Sequence, residues 1–483
     1  MLFNSINFII FLPIVFILYW ALCLKEVKFQ NISLLISSYF FYACWDYRFL
    51  FLLIFSTQLD FFTGIKISNS KNNKNKRYWF WTSIIINLGF LGVFKYYNFF
   101  ASSFVEAFSA FGINIDLWSL NVILPVGISF YTFHGLSYII DIYNDRIKPE
   151  KNFIDYSVFV SFFPLLVAGP IERATHLLPQ IKTKRIFEYS SVVQGLKQIL
   201  WGLFKKVVVA DTCAEFANYT FNDPGALPGS TLVLGAVFFS VQIYCDFSGY
   251  SDIAIGTAKL FGINLIRNFA FPYFSRDIAE FWRRWHISLS SWFRDYLYIP
   301  LGGNSGSTLK KIRNTFIIFI VSGFWHGANW TFIFWGFLNA LYIIPSIIFK
   351  RNRRNLEIVA KGKKVPTLNE LGSILITFSL TVFAWIFFRA ESLSKAKEYI
   401  LGIFSRSLFS SPNFSINVDL LILIFFVVFL FIIEWFGRES EFAISTIGIK
   451  WLKFFRWSFY GLIVFFIGMY MQTSQTPFIY FNF

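Results

Sequence analysis

The chain has 483 residues, of which 56% are hydrophobic and 22% aromatic, and only 14% are charged. So few charges cannot cover a water-soluble surface of this size, which excludes a soluble globular enzyme and predicts a membrane protein. The formal net charge is +16, but the Lys and Arg residues are gathered in short segments between apolar runs. That pattern is typical of membrane topology signals. It excludes a nucleic-acid interface, which needs a basic stripe interleaved with aromatic residues.

Apolar runs that are long enough to cross a hydrocarbon core of about 30 Å recur along the whole sequence. The first run has no basic leader and no small-residue cleavage site, so we expect it to remain as a membrane helix. The runs predict an all-α fold, a polytopic transmembrane helical bundle. The expected spans lie near residues 6–24, 31–45, 47–63, 78–98, 118–142, 192–212, 229–249, 330–349, 369–388, 418–436 and 455–471.

Three further stretches are too short or too polar to be ordinary spans, and we expect them to form re-entrant or interfacial helices. These are residues 154–170, 312–325 and the amphipathic stretch 277–299. Residues 312–349 are expected to form a hairpin that returns to the cytoplasm, because the order of the other spans requires it. Neither an internal repeat nor a separate soluble domain is evident, so residues 1–483 are predicted to form one membrane-embedded domain.

Lys and Arg residues collect in three short loops, and the positive-inside rule places those loops in the cytoplasm. Residues 99–117 and 213–228 are poor in Lys and Arg and are expected to face outward. Counting spans between these loops puts the N-terminus outside. The residues that mark the cytoplasmic loops are Lys25, Lys28, Lys66, Lys71, Lys74, Lys76, Arg77, Lys350, Arg351, Arg353, Arg354, Lys361, Lys363 and Lys364.

The cysteines have neither the spacing of metal ligands nor that of a redox pair, so we predict no metal site. Most of them lie in or beside apolar segments, and packed free thiols are expected. The four residues are Cys23, Cys44, Cys213 and Cys245.

Two of the four histidines lie in segments that are unusually polar for a membrane protein. His286 lies in EFWRRWHISLSSWFRDYLYIPLGG, which begins at Glu280, and helical spacing puts it beside an aromatic face. Burying an imidazole costs free energy, and a helix that only anchors the chain to lipid does not need a buried imidazole. The segment therefore indicates a functional site. The alternative is an interfacial helix whose arginines meet lipid phosphates. The aromatic face comprises Trp282, Trp285, Leu289, Trp292, Phe293 and Tyr296.

His326 lies in SGFWHGANW, which begins at Ser322, with small residues on both sides. Small neighbours let backbones approach closely and let a substrate reach the ring. Because burying an ionisable group in a membrane is costly, His326 indicates function. The alternative is a histidine that hydrogen-bonds a carbonyl to hold two helices together. Near neutral pH an imidazole can take a proton from a hydroxyl and return it to a leaving group, as acyl transfer requires.

Long motifs around both histidines resemble those of a known family. Residues 242–304, which begin QIYCDFSGYSD and end YIPLGGN, resemble the signature of the bacterial membrane-bound O-acyltransferases, and SGFWHGANW carries their histidine motif. PVGISFYTFHGLSYIIDIY, FPLLVAGPIER and GLFKKVVVAD extend the similarity to roughly residues 1–390, with a family-type core at about 118–350. The nearest branch contains the alginate and peptidoglycan O-acetyltransferases, and the D-alanyl transfer proteins of teichoic acid are more distant.

The resemblance implies a bundle around a central tunnel, through which an acyl group from a cytoplasmic donor reaches an acceptor outside. It makes His326 the catalytic residue, either as a base or as the carrier of the acyl group, and His286 its polar partner. The implied donor is acetyl-coenzyme A, with no tightly bound cofactor. No nucleotide-binding loop of a familiar type is evident, so the donor site rests on the resemblance alone.

Further polar residues are candidates for binding the substrate or the donor. Arg283 and Arg284 are expected near the cytoplasmic surface, where guanidinium groups can hold the donor's phosphates by charge-assisted hydrogen bonds. Asp246 and Ser248 are candidates for lining the tunnel, although acidic residues near a helix N-terminus often only cap it. Asn329 is a further candidate of this kind.

The other two histidines are expected to be structural. His134, in FYTFHGLSY, stands where relatives often carry glutamine, which favours hydrogen bonding over proton transfer. His176 lies in the polar segment ERATHLLPQ, where Glu172 and Arg173 are expected to pair or to face lipid headgroups.

These observations predict an O-acyltransferase of the bacterial inner membrane that moves acetyl for O-acetylation of a cell-surface or exported polysaccharide such as alginate. The expected partner is a separate periplasmic protein with a serine nucleophile, because such proteins often complete transfer in the resembled systems and no such domain is evident here. Peptidoglycan, teichoic acid, a glycolipid or a protein are alternative acceptors. A transporter or flippase, which would use the same tunnel for a lipid-linked or acyl substrate without breaking a bond, is the alternative of another class.

Overall fold

The computed structural model describes residues 1–22, 26–113, 115–117, 119–120, 123–416 and 419–471. Over these residues the chain forms helices and loops and no strand, which confirms the all-α prediction. The contacts between residues define two compact units, Met1–Val192 with Thr257–Ile266 and Val193–Gly256 with Arg267–Phe483. The single membrane-embedded domain stays a prediction.

The helices that precede residue 189 belong to the first unit. A π-helical segment, Gly92–Tyr96, continues the helical path between the fourth and fifth of them. The predicted span 78–98 therefore lies within one helical stretch, Asn73–Ser109. The helices are α1 (Ile6–Leu22), α2 (Val27–Ala43), α3 (Tyr47–Asn69), α4 (Asn73–Leu91), α5 (Tyr97–Ser109), α6 (Ile128–Tyr143), α7 (Phe153–Ser161), α8 (Phe163–Ala168) and α9 (Ala174–Lys182).

The later helices lie mostly in the second unit. A second π-helical segment, Phe204–Ala210, interrupts the helical path after Leu203. The helices are α10 (Tyr189–Leu203), α11 (Asp211–Asn222), α12 (Gly229–Leu260), α13 (Ile278–Arg284), α14 (Ile287–Phe293), α15 (Thr308–His326), α16 (Trp330–Ile348), α17 (Leu368–Arg389), α18 (Leu393–Ile403), α19 (Leu420–Gly437) and α20 (Lys453–Tyr470).

Six helical stretches of the described chain are long and apolar enough to cross a membrane, which confirms a polytopic membrane protein. Two other predicted spans are described as helix over part of their length, and residues 23 and 24 of the first lie outside the described residues. α1 has 17 residues, and α6 begins only at Ile128, after a left-handed Gly127, so helix occupies only part of the predicted span 118–142. Trp118, Asn121 and Val122 lie outside the described residues. The six stretches are Tyr47–Asn69, Asn73–Ser109, Gly229–Leu260, Trp330–Ile348, Leu368–Arg389 and Leu420–Gly437.

The amphipathic stretch 277–299 is not one helix, as its periodicity suggested, but divides into α13, α14 and a π-helical segment, Arg294–Tyr298. The break falls at His286, whose backbone lies in the left-handed region at φ 44° and ψ 53°. A residue with a Cβ rarely adopts that conformation, so the sequence carried no signal for the break. Much of the predicted aromatic face is nevertheless buried, as Trp285, Leu289, Trp292 and Phe293 show.

Residues 154–170 divide in a similar way. α7 ends at Ser161, Phe162 leaves the helical region at ψ 112°, and Pro164 occupies the first turn of α8. Proline is well tolerated there because the first N–H groups of a helix have no intrahelical partner. The re-entrant or interfacial placement of both broken segments stays a prediction.

α15 and α16 form the predicted hairpin, joined by residues 327–329. A Cβ on Gly323 would lie 2.2 Å from the carbonyl oxygen of Phe332, and one on Gly336 would lie 2.2 Å from that of Phe319. The two backbones therefore approach as closely as only glycine permits. α15 starts earlier than the predicted 312–325 because the Ser307 hydroxyl caps it. The side of the membrane to which the hairpin returns stays a prediction.

Three cysteines of the described chain are free thiols, as predicted. Cys213 and Cys245 are buried, whereas Cys44 is exposed, so two of the three are packed. Cys23, like Lys25 beside it, lies outside the described residues.

Candidate functional site

His286 and His326 line one cavity of about 370 Å³ in the second unit. This volume is within the usual range of small-molecule sites, about 300–1,000 Å³. The centroids of the two imidazole rings are 6.5 Å apart. The structure thus brings together the two histidines that the sequence singled out, whereas the central tunnel stays a prediction. Other lining residues are Trp282, Arg283, Arg294, Phe319 and Ser322.

His326 is the last residue of α15 and is 3% exposed. Its ring packs edge-on against Trp335 at a centroid distance of 5.2 Å and against Phe388 at 5.3 Å. The neighbouring small residues serve this packing, because a Cβ on Gly327 would lie 2.1 Å from the Phe332 ring. The imidazole is reached from the cavity, which Ser322 also lines.

His286 lies outside the six candidate spans and is 1% exposed. Its Nδ1 is 3.1 Å from Oδ1 of Asn268, while Nε2 has no hydrogen-bond partner among the described residues. Burial lowers the pKa of His286 to about 3, so the imidazole is neutral at neutral pH. Sequence reasoning missed Asn268, because no periodicity or spacing connects it with a residue on another element.

The two predicted phosphate-binding arginines have different surroundings. Arg283 lines the cavity, and its guanidinium donates to the carbonyl oxygens of Asn352 and Asn355, both at 2.8 Å. Arg284 is not among the lining residues, and its Nη2 is 2.8 Å from a carboxylate oxygen of Glu280. Of the pair, only Arg283 is placed to meet a ligand in the cavity.

Arg294 also lines the cavity, although sequence reasoning did not single it out. Its Nε is 2.8 Å from the Asp295 carboxylate, and both side chains are partly exposed. An exposed ion pair of this kind contributes little to stability. Arg294 can therefore turn toward an anion at low cost.

Asp246 and Ser248 do not line the histidine cavity. Both lie on α12, where they contact two buried lysines of the segment Phe204–Ala210. Lys206 Nζ is 2.7 Å from Asp246 and 2.8 Å from Asp211. Lys205 Nζ donates to the Ser248 hydroxyl at 2.9 Å. Sequence reasoning missed the lysines, although their position in the apolar run GLFKKVVVAD was a usable signal of buried charge.

Asn329 is also outside the cavity lining. Its Oδ1 accepts from the backbone N–H of Thr331 at 3.0 Å, which caps α16. Its Nδ2 donates to the carbonyl oxygen of Glu391 at 2.9 Å. Capping of this kind satisfies a helix N–H that has no intrahelical partner.

In the first unit, Glu172 connects the other two histidines. Its backbone N–H donates to Nε2 of His134 at 3.2 Å, so His134 serves as a hydrogen-bonding group, as predicted. Its carboxylate lies 2.8 Å from Nδ1 of His176 and accepts from the N–H of Ile266 at 2.7 Å. The hydrogen bond to this carboxylate raises the pKa of His176. Glu172 therefore pairs with protein groups and does not face lipid headgroups.

Comparisons with known proteins cover both histidines of the cavity. A family model described as MBOAT, membrane-bound O-acyltransferase family, matches residues 144–386. The probable alginate O-acetylase AlgI of Pseudomonas aeruginosa is 40% identical over 407 residues, which are 84% of this chain and 75% of that protein. The peptidoglycan O-acetyltransferase of Helicobacter pylori is 37% identical over 432 residues, which are 83% of this chain and 80% of that protein.

A more distant relative matches a shorter part of the sequence. The teichoic acid D-alanyltransferase of Bacillus subtilis is 28% identical over 284 residues, which are 56% of this chain and 70% of that protein.

Proposed function

Because this chain belongs to the membrane-bound O-acyltransferase family, and so is an O-acyltransferase, we propose that it moves acetyl from acetyl-coenzyme A for O-acetylation of an exported or cell-surface polysaccharide such as alginate. Membership of this family confirms the resemblance that was predicted from the sequence motifs. The acetyl group and a polysaccharide acceptor are supported by relatives named alginate O-acetylase and peptidoglycan O-acetyltransferase. The relative named teichoic acid D-alanyltransferase keeps teichoic acid among the alternative acceptors.

The observation that carries this proposal is the pair of buried histidines on one cavity. A neutral imidazole is a competent base, and both imidazoles line the cavity in which the thioester would lie. Ser322 lies one helical turn before His326, so both face the cavity from α15. The site therefore has the groups needed for proton transfer without a metal-activated water.

In the proposed reaction, His326 acts as the general base. Its imidazole takes the proton of the acceptor hydroxyl as the hydroxyl oxygen attacks the thioester carbonyl carbon. The carbon–sulfur bond breaks, its electron pair leaves with sulfur, and the imidazolium returns the proton to the thiolate. The products are the acetyl ester and coenzyme A.

We assign the donor's phosphates to the arginines at the cavity. Arg283 and Arg294 both line it, and guanidinium groups bind phosphate by paired, charge-assisted hydrogen bonds. Arg284 was also predicted to bind the phosphates, but it forms an ion pair with Glu280 and stabilises the local fold. No tightly bound cofactor takes part.

We place the protein in the bacterial inner membrane, with the N-terminus outside and the loops around residues 66–77 and 350–364 in the cytoplasm. Support comes from the concentration of Lys and Arg in these loops. A cysteine in place of exposed Asn73, in a background without the native cysteines, should resist an impermeant thiol reagent in intact cells. Ready labelling would reverse the orientation.

The proposed partner is a periplasmic protein with a serine nucleophile, which would accept acetyl from this enzyme and pass it to the sugar. The partner can be supplied or withheld in proteoliposomes that contain the purified enzyme and radiolabelled acetyl-coenzyme A on one side. Transfer of label to a polysaccharide or to the partner on the other side, with release of coenzyme A, is the expected result. Passage of intact donor across the membrane without thioester cleavage would support the transporter instead.

A further inference from the structure

Asn268 is fully buried and contacts the break between α13 and α14 with both its backbone and its side chain. Its carbonyl oxygen accepts from the N–H of Ile287 at 2.9 Å. Its side-chain Oδ1 accepts from the N–H of Ser288 at 3.3 Å and from the Ser288 hydroxyl at 2.9 Å. The first N–H groups of α14 have no partner within the helix, so Asn268 caps α14 from a distant segment.

The same oxygen fixes the proton on the neighbouring histidine. A backbone N–H can only donate, so the Asn268 atom that faces Ser288 must be the amide oxygen, which can only accept. Nδ1 of His286 lies 3.1 Å from that oxygen. The Ser288 hydroxyl lies 3.5 Å from Nδ1 but donates its proton to the nearer Asn268 oxygen at 2.9 Å. Nδ1 therefore carries the ring proton toward that oxygen, and Nε2 of the neutral ring carries a lone pair.

The amide nitrogen of Asn268 is held as well. Nδ2 donates to the hydroxyl of Ser251 on α12 at 3.1 Å. The side chain is thus fixed at both ends in a fully buried position, and the amide cannot turn over without breaking bonds on two elements.

The left-handed backbone at His286 completes the arrangement. α13 ends where Trp285 turns to an extended conformation, and the left-handed His286 then precedes α14, with its imidazole beside Asn268 and on the cavity that it shares with His326. Strained backbone of this kind persists where the surrounding contacts hold it, and it is frequent at functional sites. Nε2, which has no hydrogen-bond partner among the described residues, is the ring nitrogen left for a ligand.

We propose that Asn268 is a positioning residue that holds His286 in its Nδ1–H tautomer, so that Nε2 accepts a hydrogen bond from the acceptor hydroxyl in the cavity. The role in orienting the acceptor rests on the proposed acyl transfer, whereas the tautomer does not. His286 then orients the hydroxyl, and His326 removes its proton. Asn268 touches no reacting atom and acts through His286.

The tautomer can be measured without any activity. The chain has only four histidines, so protein labelled with ¹⁵N-histidine gives few ring signals, and the His286→Ala variant identifies those of His286. The expected wild-type spectrum shows a protonated Nδ1 and an unprotonated Nε2. Asn268→Leu should release this preference, while Ser251→Ala, which removes only the other partner of Asn268, should keep it. A wild-type ring with the proton on Nε2 would overturn the proposal.

The pH dependence of transfer separates positioning from simple capping. Asn268→Leu should lower transfer roughly 10- to 100-fold per folded molecule, as is typical when a group that orients a histidine is lost. Asn268→Asp keeps an acceptor for Nδ1–H and for the helix cap, so it should recover most transfer at high pH. Its negative charge raises the imidazole pKa, so the acid side of the pH profile should move upward by roughly 1 to 3 pH units.

An unchanged pH profile in Asn268→Asp, or equal transfer in Asn268→Leu and wild type, would reduce Asn268 to a structural cap. If the protein transfers no acetyl at all, the proposed function fails while the tautomer measurement still decides the role of Asn268. The two failures are therefore distinguishable.

Discussion

Two buried polar clusters of the second unit differ in how completely their polar atoms are paired. Around Lys205 and Lys206, the ammonium groups meet carboxylates on α11 and α12. At the histidine cavity, Nε2 of His286 has no hydrogen-bond partner among the described residues. Buried networks whose charges are paired stabilise one arrangement, whereas a buried polar group without a partner costs free energy and is available to a ligand.

The lysine cluster owes its pairing to close backbone packing. A Cβ on Gly202 would lie 2.6 Å from the carbonyl oxygen of Gly249, so α10 and α12 approach very closely there. The π-helical segment that follows begins two residues later and carries both lysines toward α12. The difference between the two clusters teaches that an acidic residue in an apolar helix does not by itself mark an active site. Such a residue indicates an active site only if its carboxylate is not already paired with another protein group.

The largest expected effect is the loss of the base. His326→Ala should lower acyl transfer roughly 10²- to 10⁴-fold, because a positioned general base contributes about 3 to 5 kcal/mol to the barrier. The measurement is O-acetyl content of the polymer, divided by the amount of folded protein recovered from membranes. His134→Gln is the matched control, since a glutamine oxygen can accept the hydrogen bond that the Glu172 N–H donates.

His134→Gln should keep transfer close to the wild-type value. Wild-type transfer by well-folded His326→Ala protein would exclude His326 as the base and would favour the transporter. Loss of transfer in both variants would show that transfer also depends on His134, and the loss in His326→Ala would not then identify His326 as the base.

The lysine cluster should respond through stability. Lys206→Met leaves the carboxylates of Asp211 and Asp246 without this partner, and breaking a buried ion pair costs about 3 to 5 kcal/mol. The unfolding midpoint in detergent should fall accordingly. Adding Asp246→Asn to Lys206→Met removes one unpaired charge and should recover part of the loss. Reduced transfer at unchanged stability would instead place the cluster in the catalytic machinery.

The two adjacent arginines provide a smaller and more local test. Arg283→Gln should raise the KM for acetyl-coenzyme A roughly tenfold, because one charge-assisted hydrogen bond contributes about 1.5 to 3 kcal/mol. Arg284→Gln should leave this KM unchanged and lower the unfolding midpoint, since it removes a partner of buried Glu280. If Arg284→Gln raised the KM and Arg283→Gln lowered only the unfolding midpoint, Arg284 would be the arginine that binds the donor's phosphates.

Hydropathy and residue type were sufficient to predict the all-α membrane fold, the hairpin and both histidines of the cavity. Long apolar runs must become helices in lipid, and a buried imidazole is rare enough to be noticed. The break at His286 was beyond prediction from periodicity. No glycine or proline lies between Ile278 and Phe293, so nothing local announces a left-handed residue.

Residues that act across elements were also missed. Asn268 reaches His286 through a contact that only the fold creates, and Asp246 finds Lys206 in the same way. From the sequence, Asp246 looked like a tunnel residue because its partner was not visible. Sequence patterns report which face of a helix is apolar, but they do not report which polar groups are already paired.

His176 extends the comparison to a histidine whose Nδ1 is already paired. Its Nδ1 lies 2.8 Å from the Glu172 carboxylate, and the side chain is 42% exposed. We expect His176→Gln to leave transfer unchanged and to lower the free energy of unfolding by less than about 1 kcal/mol, because solvent screens the half-exposed imidazole and buried Glu172 keeps its hydrogen bond from the N–H of Ile266. The measurement is the unfolding midpoint of both proteins between about pH 6 and 8.5.

The pH dependence of that small effect has a definite sign. Glu172 raises the pKa of His176 above its ordinary value of about 6.5, so the folded protein binds the proton more tightly than the unfolded chain. The stabilisation is fully present below about pH 6.5 and is lost as the pH rises through the folded-state pKa. The difference between wild type and His176→Gln should therefore shrink toward high pH. A difference that grows with pH would mean that the folded protein stabilises the neutral imidazole of His176, as it does that of His286.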